Sequence, residues 1–213
     1  MDNSAYRQHY RAQYIGANYS GRSHLGFVLV FSLGGIAVCL WQLEAVRPLE
    51  WLTVPLAFLY ANLAEYLGHR FVMHRKVPGL GLIYQRHAGQ HHVFFTHRHM
   101  ALEGWRDAKA VLFPPVLMIF FFGVFATPVA LVLAWLLSAN VAWLFVATGL
   151  GYYLNYELLH LAYHLPDDSR WLRLPMLKRL RRLHHAHHDT ALMASRNFNI
   201  TYPIGDWLFG TRA

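Results

Sequence analysis

One cysteine, Cys39, occurs in the 213 residues, so an internal disulfide and a cysteine-based metal site are both excluded. Charge is scarce as well. Asp, Glu, Lys and Arg make up 14% of the chain and apolar residues 55%, against about 25% and about 45–50% in soluble domains. The scarcity is concentrated in two places. No charged residue occurs from Leu25 to Leu43, and none from Ala110 to Tyr156, a run of 47 residues. The alternating pattern of strands is nearly absent, as are repeats, low-complexity stretches and linkers. The chain therefore reads as all-α and as one domain.

A bilayer-crossing helix takes about 20 apolar residues. The first uncharged stretch fits one span, and the second fits two with a break expected at Thr127-Pro128, where proline can open a helix but not continue one. A further span fits 48–64, with Glu50 near its outer end. The expected spans are 25–43, 48–64, 110–126 and 128–150, following a polar and aromatic lead-in, 1–24, of short amphipathic or irregular character. The first span is longer than a signal-peptide core and reads as retained. Four spans put the lead-in, the 65–109 loop and the C-terminal segment on one side. That side holds 18 of the 19 basic residues, which marks it and both termini as cytoplasmic. The net charge of +8 then reflects topology and contact with anionic headgroups. No nucleic-acid-binding motif accompanies it. The location expected is a multi-pass protein of the bacterial inner membrane, or of the endoplasmic reticulum in a eukaryote.

Fifteen histidines remain to be explained, and none sits in mid-span. On an α-helix, residues i, i+3 and i+4 share a face. His160 and His164 form such a pair, with Glu157 one turn earlier. His184, His187 and His188 form a triple. His87 and His91 form another pair, with His92 turned aside to a different partner. His69 and His74, five apart and about 140° around an α-helix, are expected to serve different metals or different sides of one site. These ten histidines at one membrane face would be costly to bury without a shared ligand, so they predict a metal site. Imidazole suits zinc, iron, copper or nickel, so residue type leaves the metal open. His9, His24, His97, His99 and His185 read as bystanders, His97 and His99 being the nearest to joining the set.

The order HRFVMH (69–74), HAGQHH (87–92), HLAYH (160–164) and HHAHH (184–188) resembles the fatty acid hydroxylase/sterol desaturase superfamily of integral membrane histidine-box enzymes. The closing NFNITYPIGDWLFGT (197–211) resembles the superfamily's tail at Asn197, Asp206 and Gly210, and the FPP at 113–115 is similar too. The resemblance covers about residues 55–212. It implies four spans under a cytoplasmic helical cap, with ligands His69, His74, His87, His91, His92, His160, His164, His184, His187 and His188. It implies two iron ions, replaceable by zinc, with dioxygen as co-substrate, and hydroxylation or desaturation of a lipid chain. The second box departs from the pattern: it has three residues between its first histidine and the pair, where relatives often have two. No cytochrome-b5-like domain is present, so a separate cytochrome-b5-like or ferredoxin-like protein is expected to supply electrons.

Glu65 and Glu157 each stand about a turn before a box histidine. Either can orient an imidazole N–H, a role assigned to Glu157, whereas Glu65 fits an interfacial ion pair equally well. A carotenoid ring hydroxylase has similar boxes, but the 197–211 tail argues against it. A zinc protease would need HExxH, which does not occur. A metal transporter or b-haem carrier would place ligands inside the spans, whose interiors hold neither histidine nor carboxylate.

Overall fold

The computed structural model describes residues 2–213, and among these the chain is helical with no strand, only an isolated Thr96–His99 bridge. It divides into two compact units. One contains the segment up to Arg22, Asn62–Leu112 and Leu158–Ala213; the other contains Ser23–Ala61 and Phe113–Glu157. The partition follows the chemistry. Fourteen of the fifteen histidines fall in the first unit, and His24 in the second.

The lead-in is a regular helix, α1 (Asn3–Tyr14), whose first turn is closed by Asp2 accepting from Ala5 N at 2.7 Å. Arg7, only 4% exposed, donates to the Ala101 carbonyl at 2.9 Å and lies over the Phe94 ring. Arg11 pairs with Asp107 at 2.8 Å. These bonds tie α1 to the loop that carries the second histidine box.

Helices α2 (Gly21–Trp41) and α3 (Thr53–Gly68) follow. After them come α4 (Gly81–Arg86) and the single turn α5 (His92–Phe94). Then α6 (Pro115–Phe120), α7 (Thr127–Leu136) and α8 (Ala139–Tyr163) run through most of the uncharged stretch. Among the described residues, two segments are long and apolar enough to cross a membrane by length and composition, Gly21–Trp41 and Trp105–Leu136. The second unit turns apolar side chains outward: Val30, Trp41, Leu131 and Trp135 are 65–86% exposed. Water is a poor solvent for such a surface.

The expected break at Thr127-Pro128 is not where the chain turns. A π-helical turn, Phe121–Ala126, joins α6 to α7, and the helix runs on through Pro128. Proline leaves an upstream carbonyl without its N–H donor. The widened turn takes up the misfit, and Thr127 Oγ1 donates to Phe122 O at 2.9 Å. The reversal comes instead between Leu136 and Ala139. There Ser138 and Asn140 donate to Glu50 at 2.5 and 3.2 Å, and Asn140 Nδ2 also reaches Glu44 O at 2.7 Å. Polar side chains thus join the two short connections of this unit.

The first unit closes with α9 (Pro175–His187) and α10 (Ile204–Leu208). The tail is built around Asp206, which is fully buried. Its two oxygens accept from Phe198 N, Asn199 N and Thr211 Oγ1 at 2.7–2.9 Å. Asn197 and Gly210 occupy the left-handed region, with φ of 55° and 64°, which asparagine and glycine tolerate best.

Candidate metal centre

The four boxes meet inside the first unit. His69, His74, His87, His92 and His187 form one group of imidazoles, and His91, His164, His184 and His188 form a second. His160 reaches the second group through His91, Nε2 to Nε2 at 3.1 Å. The groups are neighbours: the His92 and His188 rings stack with centroids 4.3 Å apart.

This grouping differs from the one that α-helical spacing predicts, and the backbone explains why. His69–Met73 and His87–His91 are π-helical turns, in which His74 N bonds to His69 O and His92 N to His87 O. A π turn aligns residues five apart. His69 and His74 therefore converge, with Nε2 atoms 3.1 Å apart, rather than pointing to different sides. His87 joins His92 at 3.1 Å and not His91, which serves the other group. The extra residue of the second box is absorbed by its wide turn. Arg86 holds that turn in place, donating to Gln90 Oε1 at 2.6 Å, Tyr10 Oη at 2.9 Å and Lys109 O at 2.6 Å. On α9 the triple also divides, His187 to the first group and His184 with His188 to the second.

Backbone carbonyls fix the rings. The Nδ1 atoms of His91, His164, His187 and His188 face Ala110 O, Met100 O, Arg196 O and Phe95 O at 2.7–2.9 Å, and that of His69 faces Phe198 O. A carbonyl only accepts, so each of these Nδ1 atoms carries the proton and each Nε2 presents a lone pair. His91 and His188 thus aim two bare lone pairs at each other across 3.1 Å. Protonation is a poor remedy. Burial, reinforced by neighbouring imidazoles, pushes His69, His87, His92, His164, His184 and His188 well below the usual range, and His74 to about 3. A cation between the nitrogens resolves the conflict. Metal–imidazole bonds of about 2.0–2.1 Å put neighbouring ligand nitrogens about 3.0–3.4 Å apart. The shortest Nε2 separations here run from 2.8 to 3.1 Å, so the donor set fits metal ions.

The depressed values set a pH dependence. A histidine kept neutral in the fold gains no proton there, while the unfolded chain charges below about 6.5. Stability of metal-free protein is therefore intact above that pH and falls as the pH drops toward about 3, the folded value for His74 and His91. Each suppressed histidine steepens the slope by about 1.4 kcal/mol per pH unit. Thermal unfolding of chelated protein between pH 7.5 and 5 should show the midpoint falling with pH; a flat or inverted profile would contradict the assignment.

The remaining histidines lie outside both groups. His24 Nε2 is 3.1 Å from Phe113 O, His9 packs edge-on to Tyr14, His97 and His99 are exposed, and His185 belongs to neither group. Glu65 accepts from Ile200 N, Thr201 N and Thr201 Oγ1. It thereby holds the tail whose Phe198 and Arg196 carbonyls face His69 and His187. Glu157, fully buried in the second unit, accepts from Phe113 N at 3.1 Å and Tyr153 Oη at 2.7 Å. The orienting carbonyls could not be read in advance, because a main-chain oxygen has no letter in the sequence. The resemblance at Asn197, Asp206 and Gly210 was the available signal for those in the tail.

Residues 54–211 match the family model described as fatty acid hydroxylase. The chain is similar to the fatty acid 2-hydroxylases of Macaca fascicularis (32% identity over 154 residues, 70% of this chain and 36% of that protein) and Homo sapiens (31%, with the same coverage). That of Rattus norvegicus is 29% identical, over 73% of this chain and 38% of that protein. The chain thus spans little more than a third of the length of these relatives. Among solved structures, full-length Scs7p, of which only the hydroxylase domain is visible, shares the fold with a TM-score of 0.60 at 20% identity, over 87% of this chain and 65% of that one. Since the family match begins in the first turn of α3, ends in the tail and takes in every histidine of both imidazole groups, the chain belongs to the fatty acid hydroxylase family.

Proposed function

We propose that the protein is a membrane-embedded, dioxygen-dependent hydroxylase of lipid chains that holds two iron ions in its paired imidazole groups. The observation that carries this reading is the pair of bare Nε2 lone pairs of His91 and His188, 3.1 Å apart inside a buried cluster. Bound iron supplies the redox chemistry by which dioxygen, two electrons and two protons convert a C–H bond to C–OH and water. Zinc on the same imidazoles would be a redox-silent substitute.

The chain's own residues do the rest. His69, His74, His87, His92 and His187 hold one ion; His91, His160, His164, His184 and His188 hold the other. The carbonyls of Phe95, Met100, Ala110, Arg196 and Phe198 keep the rings aimed. Phe94, Phe95, Tyr163 and Phe198, all fully buried, keep water from the cluster. Glu157 is assigned a positioning role, because it precedes His160 by three residues on α8. Four spans, both termini in the cytoplasm and an outside electron donor complete the reading, supported by the distribution of basic residues and by the outward apolar surface.

The name of the relatives makes the carbon next to an acyl carboxyl group the first position to examine. Cells with and without the protein, grown under isotopically labelled dioxygen, should differ in a lipid that has gained a single labelled oxygen. A new double bond without label would indicate desaturation, and no difference in lipid would defeat the proposal. In the same assay Glu157→Gln should lower activity roughly 10–100-fold without abolishing it; wild-type turnover would remove Glu157 from the centre.

A further inference from the structure

Past the end of α8 the chain enters a surface that the metal centre does not use. From Asp167 to Arg182 it carries six cations and two carboxylates. Helix α9 is two-sided: Leu177, Leu180, His184 and His187 are buried, while Lys178, Arg179 and Arg182 are exposed. Among these cations stand three large apolar side chains, Trp171, Leu174 and Met176, 53–58% exposed. Beside them lies an open cavity of about 500 Å³, lined by Ser169, Arg173, Lys178 and Arg181 together with Asp167 and Asp168.

Arg181 pins this strip to the end of α8, donating to Tyr163 O at 2.9 Å and Asp167 at 2.7 Å. Tyr163 stands seven residues beyond the last residue of the uncharged run, about 10 Å along a helix. A headgroup layer is about 5–8 Å thick on each face of the hydrocarbon core, so the end of α8 falls at its outer side.

We propose that the Arg170–Arg182 strip is a surface anchor that seats on phosphate-bearing lipid headgroups and prefers anionic ones. Trp171, Leu174 and Met176 enter the acyl boundary, while Arg173, Lys178 and Arg179 stay among the phosphates. An acidic protein partner would match the cations, but it would leave three apolar side chains without a role. The inference rests on the membrane reading of the chain and not on its oxidative chemistry.

Cys39 is buried, so Met176→Cys adds a single reactive thiol for an environment-sensitive dye. In lipid nanodiscs the dye should be shielded from aqueous iodide and quenched by nitroxide-headgroup lipid, more strongly when phosphatidylglycerol is added to phosphatidylcholine. Arg173→Ser and Lys178→Ser should weaken that preference, each by about fivefold. A dye at Val38→Cys, an exposed position of α2, reports the membrane reading itself. The inference is overturned if Val38 is lipid-quenched while Met176 stays open to iodide. It is also overturned if inorganic phosphate alone, or only an added acidic redox protein, shields Met176. If Val38 is open to iodide, the membrane reading falls and takes the proposed function with it.

Discussion

His187→Ala and His164→Ala are each expected to lose about one metal ion per chain and all detectable hydroxylation. Each removes one imidazole from a different group, His187 from the five and His164 from the four. Each also strands a backbone carbonyl, Arg196 O or Met100 O. A ligand set with a gap cannot hold its ion in fixed geometry, and imidazole ligands contribute affinity directly. Folded yield must be measured beside metal and turnover, because an unfolded variant would imitate a dead one. His9→Ala, outside both groups, is the control and should match wild type. The assignment fails if both ligand variants keep full metal content, or if His9→Ala is as damaging as either.

Asp206→Ala should be nearly as severe, although Asp206 belongs to neither group. Its oxygens accept from two buried backbone N–H groups, those of Phe198 and Asn199. Stranding a buried donor costs about 1–3 kcal/mol each, so the tail should loosen by about 2–6 kcal/mol in sum. Phe198 also supplies the carbonyl that faces His69 Nδ1. Metal should therefore be lost from the five-histidine group before the four-histidine group. Asp206→Asn keeps an acceptor oxygen and should fall between wild type and alanine. An Asp206→Ala protein with wild-type unfolding midpoint and metal content would show that the tail does not support the centre.

How much of this was legible in the sequence depends on the kind of signal. The all-helical class follows from the absence of alternation and the length of the uncharged runs, which are features of composition. The ten box histidines stood out by clustering, and the fold brings nine of them into the two groups, with His160 against His91. Their partition was not legible. Spacing arguments assume 3.6 residues per turn, and the turns at 69–73 and 87–91 are wider. Nothing in the letters HRFVM or HAGQH announces a π turn. Pro128 misled for a related reason: the widened turn before it and the Thr127 hydroxyl let the helix continue. Glu65 precedes His69 by one turn and fitted an imidazole partner and an interfacial ion pair equally well; its bonds to the tail's N–H groups and the Thr201 hydroxyl had no signal in the spacing.

The make-up of the two groups also sets an order of assembly during synthesis. His184, His187 and His188 come from the last thirty positions of the 213-residue chain. A nascent chain that has reached Leu183 offers four imidazoles of the five-membered group, but only His91, His164 and the adjoining His160 of the other. The carbonyls that aim His69 and His187 follow later still, at Arg196 and Phe198. Contacts between segments so distant in sequence form late in folding. Neither group has all its imidazoles until synthesis has reached the last box, and the five-histidine group lacks orienting carbonyls until Phe198, so the last box, and not the first three, completes both sets of ligands.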